Sequence, residues 1–486
     1  MACAVYGAHL CYAIISDRAL FSDGAQFFIR LITSTAPWPV FDDSVHIRLL
    51  VNVLNQWPVS LARMVGVEDI PTLRRLFGAS LFLQPALLYV YCYALSRRAN
   101  DYRVFALTVT SVVSCVMPSE LFVINQGITA LALAWIALHY ILLPMRYRWH
   151  DIVVMATVSV LLFRAHEGMV LWGGITAAAG ILRLVAEYRA LTGRPRGAVM
   201  ALSLLGAAQS AFVLGWQKTH PVQAQTREFL ELRHVANPWA MWTSSARVAL
   251  VTGGVVAVIF VIAAAARARR AIGWARSDRA ITIVVLGAIA IMGLSVGLAL
   301  SDPASLDPNR AFQHRVLIPF GGALCMALAV AVMRMNVRLT ASHQRLLAGT
   351  LAAGLIASSV WQMRTTAQWR VYRTATQDAL RSADGPLVSS RAVMHTLLRT
   401  AAPEVWQFRN TWAWSVFGLS LQDSAVVTAV IEPDWARARF GLPRTATDSL
   451  RVPFVTLPAS GILRFEQWTA RLLAETAPVP RASPAP

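Results

Sequence analysis

Asp23 stands in the stretch Ser22-Asp23-Gly24-Ala25-Gln26-Phe27-Phe28, a few residues beyond an apolar run. A carboxylate in that position, with two aromatics behind it to anchor the backbone at an interface, can take a proton from an acceptor hydroxyl. The local alternative is that Ser22 or Asp23 caps a short helix over 24–33, and one residue can do both. Asp42 and Asp43 offer a second pair of carboxylates. They either cap the run that starts at Val45 or join another carboxylate around a divalent cation. Glu120 and the group Arg164, His166 and Glu167 lie in turns too short to be free loops between apolar runs. Ionisable residues at such positions point to function, and the competing reading is a structural ion pair such as Glu120 with Arg164. Arg310, His314 and Arg315 place three cationic groups at i, i+4 and i+5, a spacing suited to a phosphate or to anionic lipid headgroups.

The elements that must position these residues are membrane helices. The chain is 56% hydrophobic and 14% charged with a mean hydropathy of +0.52, whereas charged residues make up about a quarter of a soluble domain. Apolar runs of bilayer length recur at 1–16, 75–96, 103–119, 124–144, 150–165, 168–187, 198–216, 246–266, 279–300, 316–334 and 343–362. They predict an all-α polytopic membrane protein of about eleven spans. A barrel would show alternation instead. Two amphipathic helices are expected in the long first loop, 17–74: Gln26 to Thr33, and Val45 to Val65, where Val45, Leu49, Val53, Trp57 and Leu61 recur at helical spacing. Such helices suit the headgroup plane. The division expected is a transmembrane domain over 1–362, an extracytoplasmic domain over 363–476 with strands near Ser424–Ile431 and Arg451–Thr456, and a disordered Pro/Ala-rich tail over 477–486.

The net charge of +19 does not indicate nucleic acid, because the arginines sit in short clusters between apolar runs. Arg97, Arg98 and Arg103; Arg146 and Arg148; Arg189, Arg194 and Arg196; Arg267 to Arg279; and Arg334, Arg338 and Arg345 occupy every second loop. The positive-inside rule makes those loops cytoplasmic, with the N-terminus inside and the C-terminus outside. Met1 to Ile15 reads as an uncleaved first helix. The candidate chemical residues then share the opposite face. Five scattered cysteines form neither a metal motif nor a disulfide framework. No cofactor is indicated beyond a divalent cation that the carboxylates could hold.

The inside N-terminus, the early Asp23 in a long two-helix outer loop, the arginine-bearing loop at Arg310–Arg315 and the C-terminal outer segment together resemble the GT-C superfamily of membrane glycosyltransferases. The resemblance implies a protein of the bacterial cytoplasmic (inner) membrane that uses a polyprenyl-phosphate-sugar donor among membrane lipids and a glycan or lipid acceptor on the outer face. It further implies Asp23 as the base, arginine from 310–315 beside the lipid-phosphate leaving group, and Glu120 and Glu167 on sugar hydroxyls or a metal. The family often carries an acidic pair just after its first helix, where this chain has Gly24 following Asp23, so the base is either Asp23 or the Asp42-Asp43 pair. A transporter, flippase or polymerase subunit for lipid-linked polysaccharide is the rival; few charges inside the spans and no internal repeat weigh against it.

Overall fold

The computed structural model describes residues 1–33, 47–117, 126–187, 189–220, 252–265, 317–337 and 339–382, with short stretches at 387–389, 408, 417–418, 420–421 and 429–431. The elements are helical: α1 (Ala2–Ile15), α2 (Asp23–Thr33), α3 (Leu49–Met64), α4 (Ile70–Ala99), α5 (Arg103–Ser111), α6 (Gln126–Leu142), α7 (Trp149–Phe163), α8 (Met169–Ala186) and α9 (Gly193–Thr219). They continue with α10 (Thr252–Ala265), α11 (Gly322–Arg334) and α12 (Ala341–Arg381). Two π-helical turns occur, Val112–Val116 after α5 and Leu317–Gly321 before α11. The strands β1 (Leu387–Ser389) and β2 (Ala429–Ile431) pair in parallel, Leu387 opposite Ala429. Strand β2 is the end of the run expected at 424–431, while the runs at 279–300 and 451–456 lie outside the described residues.

Ten of the eleven apolar runs fall on described helices. Four of those helices are long and apolar enough to cross a membrane: α4, α8, α9 and α12. The others among the described residues are shorter apolar helices. Large apolar side chains stand outward, with Val185 75%, Leu324 72% and Leu204 65% exposed, as a lipid-facing surface requires.

The chain divides into two compact units. The first comprises Met1–Cys11, Phe41–Asn55 and Leu81–Met363; the second comprises Tyr12–Val40, Gln56–Ser80 and Arg364–Pro486. At the centre of the first unit is α6, every residue of which is buried. After the polar first turn of Gln126 and Thr129, the run Ala130 to Leu138 is apolar on every side, and such a helix belongs inside a bundle. Helices α8 and α9 approach through small residues. A Cβ on Gly206 would lie 2.8 Å from the Gly173 carbonyl oxygen, and one on Gly173 would lie 2.6 Å from that of Gly206. Small residues at such crossings let helix backbones touch where lipid removes the hydrophobic drive.

The loops of this unit sort into two sets. Arg98 grips Asp151 (2.9 and 2.7 Å) and the Arg146 carbonyl (2.9 Å), Arg103 donates to the Val337 carbonyl (2.9 Å), and Arg334 faces Glu187 (3.8 Å). Four of the five basic loops are thereby joined; the fifth lies outside the described residues. In the other set, Arg48 of the first loop pairs with Glu167, Trp172 donates to the Pro319 carbonyl and Gln362 to the Met117 carbonyl. Asp151 and Arg164 mark the two ends of α7, about 20 Å apart at 1.5 Å per residue. The alternation of basic and non-basic loops along the sequence is thus matched by which loops touch.

The last helix departs from expectation. It does not stop at 362 but runs 41 residues to Arg381, about 60 Å and twice the thickness of a bilayer core. Its second half buries Thr365, Thr366, Trp369, Tyr372, Thr376 and Ala379 along one stripe. The helical period continues after the hydropathy has fallen.

Replacing Gly206 with Leu should force α8 and α9 apart and cost about 1–3 kcal/mol, read as a lower thermal midpoint in detergent. Gly215→Leu, at a position with open space, should leave that midpoint unchanged.

Candidate functional site

The non-basic end of the first unit carries a connected polar cluster. Arg48 lies one residue before α3, and its Nε donates to both carboxylate oxygens of Glu167 (3.0 and 2.9 Å) while Nη1 donates to Gln126 Oε1 (3.0 Å). Gln126 opens α6 and passes the chain on, its Nε2 donating to Asn52 Oδ1; one turn further, Thr129 donates to Asn55 Oδ1 (3.0 Å). The Leu50 amide donates to the Arg164 carbonyl (2.9 Å), so the start of α3 is also stitched by backbone to the α7–α8 turn.

That turn supplies the other members. His166 Nε2 lies 3.5 Å from Glu167 Oε2, and its ring stacks on Trp172 at 5.7 Å. The Arg164 guanidinium covers the Trp216 ring at 4.4 Å, and His220 stacks on Trp216 at 4.0 Å. Gly127 lets His166 approach closely, since a Cβ there would sit 3.0 Å from Nε2. The sequence grouped Arg164, His166 and Glu167, and the structure keeps them together; Glu167 takes Arg48 as its partner. Asp42, Asp43, Glu120, Arg310, His314 and Arg315 lie outside the described residues.

Arg48 and Glu167 are each about a fifth exposed. Burial alone would push the Glu167 carboxyl up; the charge of Arg48, with His166 beside it, outweighs this and holds it down at about 2. The folded value is below the unfolded one. The stabilisation is therefore complete above the ordinary carboxylate range and is lost as pH falls through it toward about 2.

Asp23 belongs to the second unit, where it is the first residue of α2. Gly24 has a packing reason: a Cβ there would lie 1.7 Å from the Ala19 carbonyl oxygen, so the first turn of α2 rests directly on backbone. Sequence reasoning missed Asp17, which follows α1 at once in a left-handed conformation (φ 52°). Arg373 Nη1 lies 2.8 Å and Arg74 Nε 3.9 Å from its carboxylate. Around it Arg18 donates to Thr366 Oγ1 (2.9 Å), Trp369 to the Ser16 carbonyl (2.9 Å) and Arg74 to the Ser420 carbonyl (2.8 Å). Phe21, Trp369, Tyr372, Phe408 and Phe417 pack edge-on and tilted beside this group. A charge one residue past an apolar run was the available signal for Asp17. Arg48 and Arg373 carried none, since their partners lie more than a hundred residues away.

Among the described residues no group of three or more His, Cys, Asp or Glu is placed to hold a metal ion. No protein-family model matches the chain, nor does any curated protein or solved structure.

Glu167→Gln should lower stability at neutral pH by about 1–3 kcal/mol, because Arg48 loses its counter-charge. It should also flatten the loss of thermal stability on acidification toward about pH 3. Melting curves across pH decide this, and an acid profile identical to wild type would contradict the role of the pair.

Proposed function

We propose that the chain is an integral membrane glycosyltransferase that moves a sugar from a polyprenyl-phosphate-linked donor to an envelope glycan or lipid acceptor on the extracytoplasmic face. The observation that carries this reading is the Arg48–Glu167–Gln126–Asn52 cluster. It brings the first loop, the start of α6 and the α7–α8 turn to one polar site at the non-basic end of an apolar bundle. Groups of that kind are costly in an apolar setting and are kept where they bind or react. The four long apolar helices and the sorting of loops support a membrane setting with that end outside.

In this reaction the acceptor oxygen attacks the anomeric carbon and the bond from that carbon to the phosphate oxygen breaks. The acceptor proton passes to a carboxylate, and polyprenyl phosphate leaves. Asp23 takes the proton, Arg310 and Arg315 with His314 stabilise the phosphate, and Arg164, His166 and Glu167 bind the sugar. Asp42, Asp43 and Glu120 complete the substrate-binding set. Asp17 has a different part, since a carboxylate between Arg74 and Arg373 is held as their counter-ion.

The purified chain in proteoliposomes should release polyprenyl phosphate from a labelled donor. Asp23→Asn should abolish release, about 10²-fold or more, at normal expression, whereas Asp17→Asn should chiefly reduce the yield of folded protein. Near-normal turnover by Asp23→Asn would sink the assignment of the base, and no release by the wild-type chain with any polyprenyl-phosphate sugar would sink the reading itself.

A further inference from the structure

We infer that His166 is fixed as the tautomer with its proton on Nε2, and that it positions the Glu167 carboxylate as an N–H dipole instead of shuttling protons. The Gly168 backbone amide donates to His166 Nδ1 at 3.0 Å. A backbone N–H can only donate, so Nδ1 carries a lone pair and the ring proton of the neutral imidazole is on Nε2. That nitrogen is the one 3.5 Å from Glu167 Oε2.

The ring is packed on one face and one edge, and the hydrogen bond from Gly168 decides which way round it lies. Its face lies on Trp172, with 17° between the planes, and Trp172 is itself pinned by its Nε1 donating to the Pro319 carbonyl at 2.9 Å. Its Nε2 edge lies against Gly127, with Ile318 Cγ2 only 3.4 Å from where a Cβ on that glycine would stand. The turn is closed behind it by the Met169 amide on the His166 carbonyl (3.0 Å). A flipped ring would set a carbon against the Gly168 amide and strand a buried donor, since His166 is 9% exposed. Among the described residues, the charged groups facing this nitrogen include Glu167 and, beyond it, Arg48, with Arg164 two residues earlier in the turn. His166 thus acts through Glu167, as an outer partner acts on a metal ligand or a catalytic carboxylate. The tautomer stands on geometry alone; the positioning role in sugar transfer rests on the function proposed above.

The two are tested separately on the full-length chain in proteoliposomes. His166-Glu167 is the only His-Glu pair in the sequence, so labelling carbonyl carbon in His and nitrogen in Glu assigns His166 without any variant. Solid-state ¹⁵N spectra at neutral pH should show a bare Nδ1 and a protonated Nε2. A proton on Nδ1, or on both nitrogens, overturns the inference. In the transfer assay His166→Gln, whose amide places an N–H near Nε2, should stay within about 3-fold of wild type, and His166→Asn should fall about 10- to 100-fold. Equal loss in both variants with the Nε2–H tautomer in place overturns the positioning role. A wild-type chain with that tautomer but no transfer leaves the inference standing and removes the proposed function.

Discussion

A charge inside an apolar bundle has to have a partner, and this constraint organises the first unit. Among the described residues, two of the ion pairs that answer it stand at opposite ends of α7, Arg98 with Asp151 and Arg48 with Glu167. Asp151 is fully buried and shared further with the Tyr140 hydroxyl at 3.0 Å and the Arg148 amide at 2.6 Å. Buried pairs of this kind add little net stability over an apolar core, yet losing one partner is expensive. What they contribute is register. A helix that slid by a turn would leave a carboxylate alone in hydrocarbon, so the pairs select one packing of helices whose apolar surfaces would tolerate several.

The two ends differ in chemistry even though both obey that constraint. At the basic end Asp101 and Asp151 are each matched by an arginine and a backbone amide, and the arrangement reads as structural. At the other end the partners are mixed: guanidinium, carboxylate, imidazole, carboxamides and indole rings, several of them partly exposed. Mixed hydrogen-bonding groups with residual exposure suit a polar ligand that must be held and released. Gly127 serves this arrangement by leaving room for the close approach of the His166 ring.

Much of the architecture was legible in the sequence because it follows from local rules. Apolar runs marked the helices, the period of Val45 to Leu61 marked α3, and arginine spacing marked which loops touch. The tail of α12 escaped hydropathy, since Arg364 to Arg381 is polar on average; only its helical stripe of Thr, Trp, Tyr and Ala revealed it. The π-helical turns at Val112–Val116 and Leu317–Gly321 have no local signature and arise from packing. Arg48 was passed over for a simpler reason. Nothing near it in sequence distinguishes it from other arginines, and its meaning comes from Glu167, 119 positions on. Of the carboxylates singled out from sequence, Glu167 joins the polar cluster, through a partner that only the fold brings to it, and Asp23 opens α2 in the second unit.

Under the proposed function the polar cluster and the basic loops face opposite sides of a membrane. Thiol labelling with a membrane-impermeant reagent tests it most directly, in a chain whose five native cysteines are replaced and one cysteine is returned at His220 or at Arg194. His220→Cys should react in intact cells, and Arg194→Cys only after the membrane is opened. Equal reaction of both in intact cells, or the reverse pattern, would contradict it.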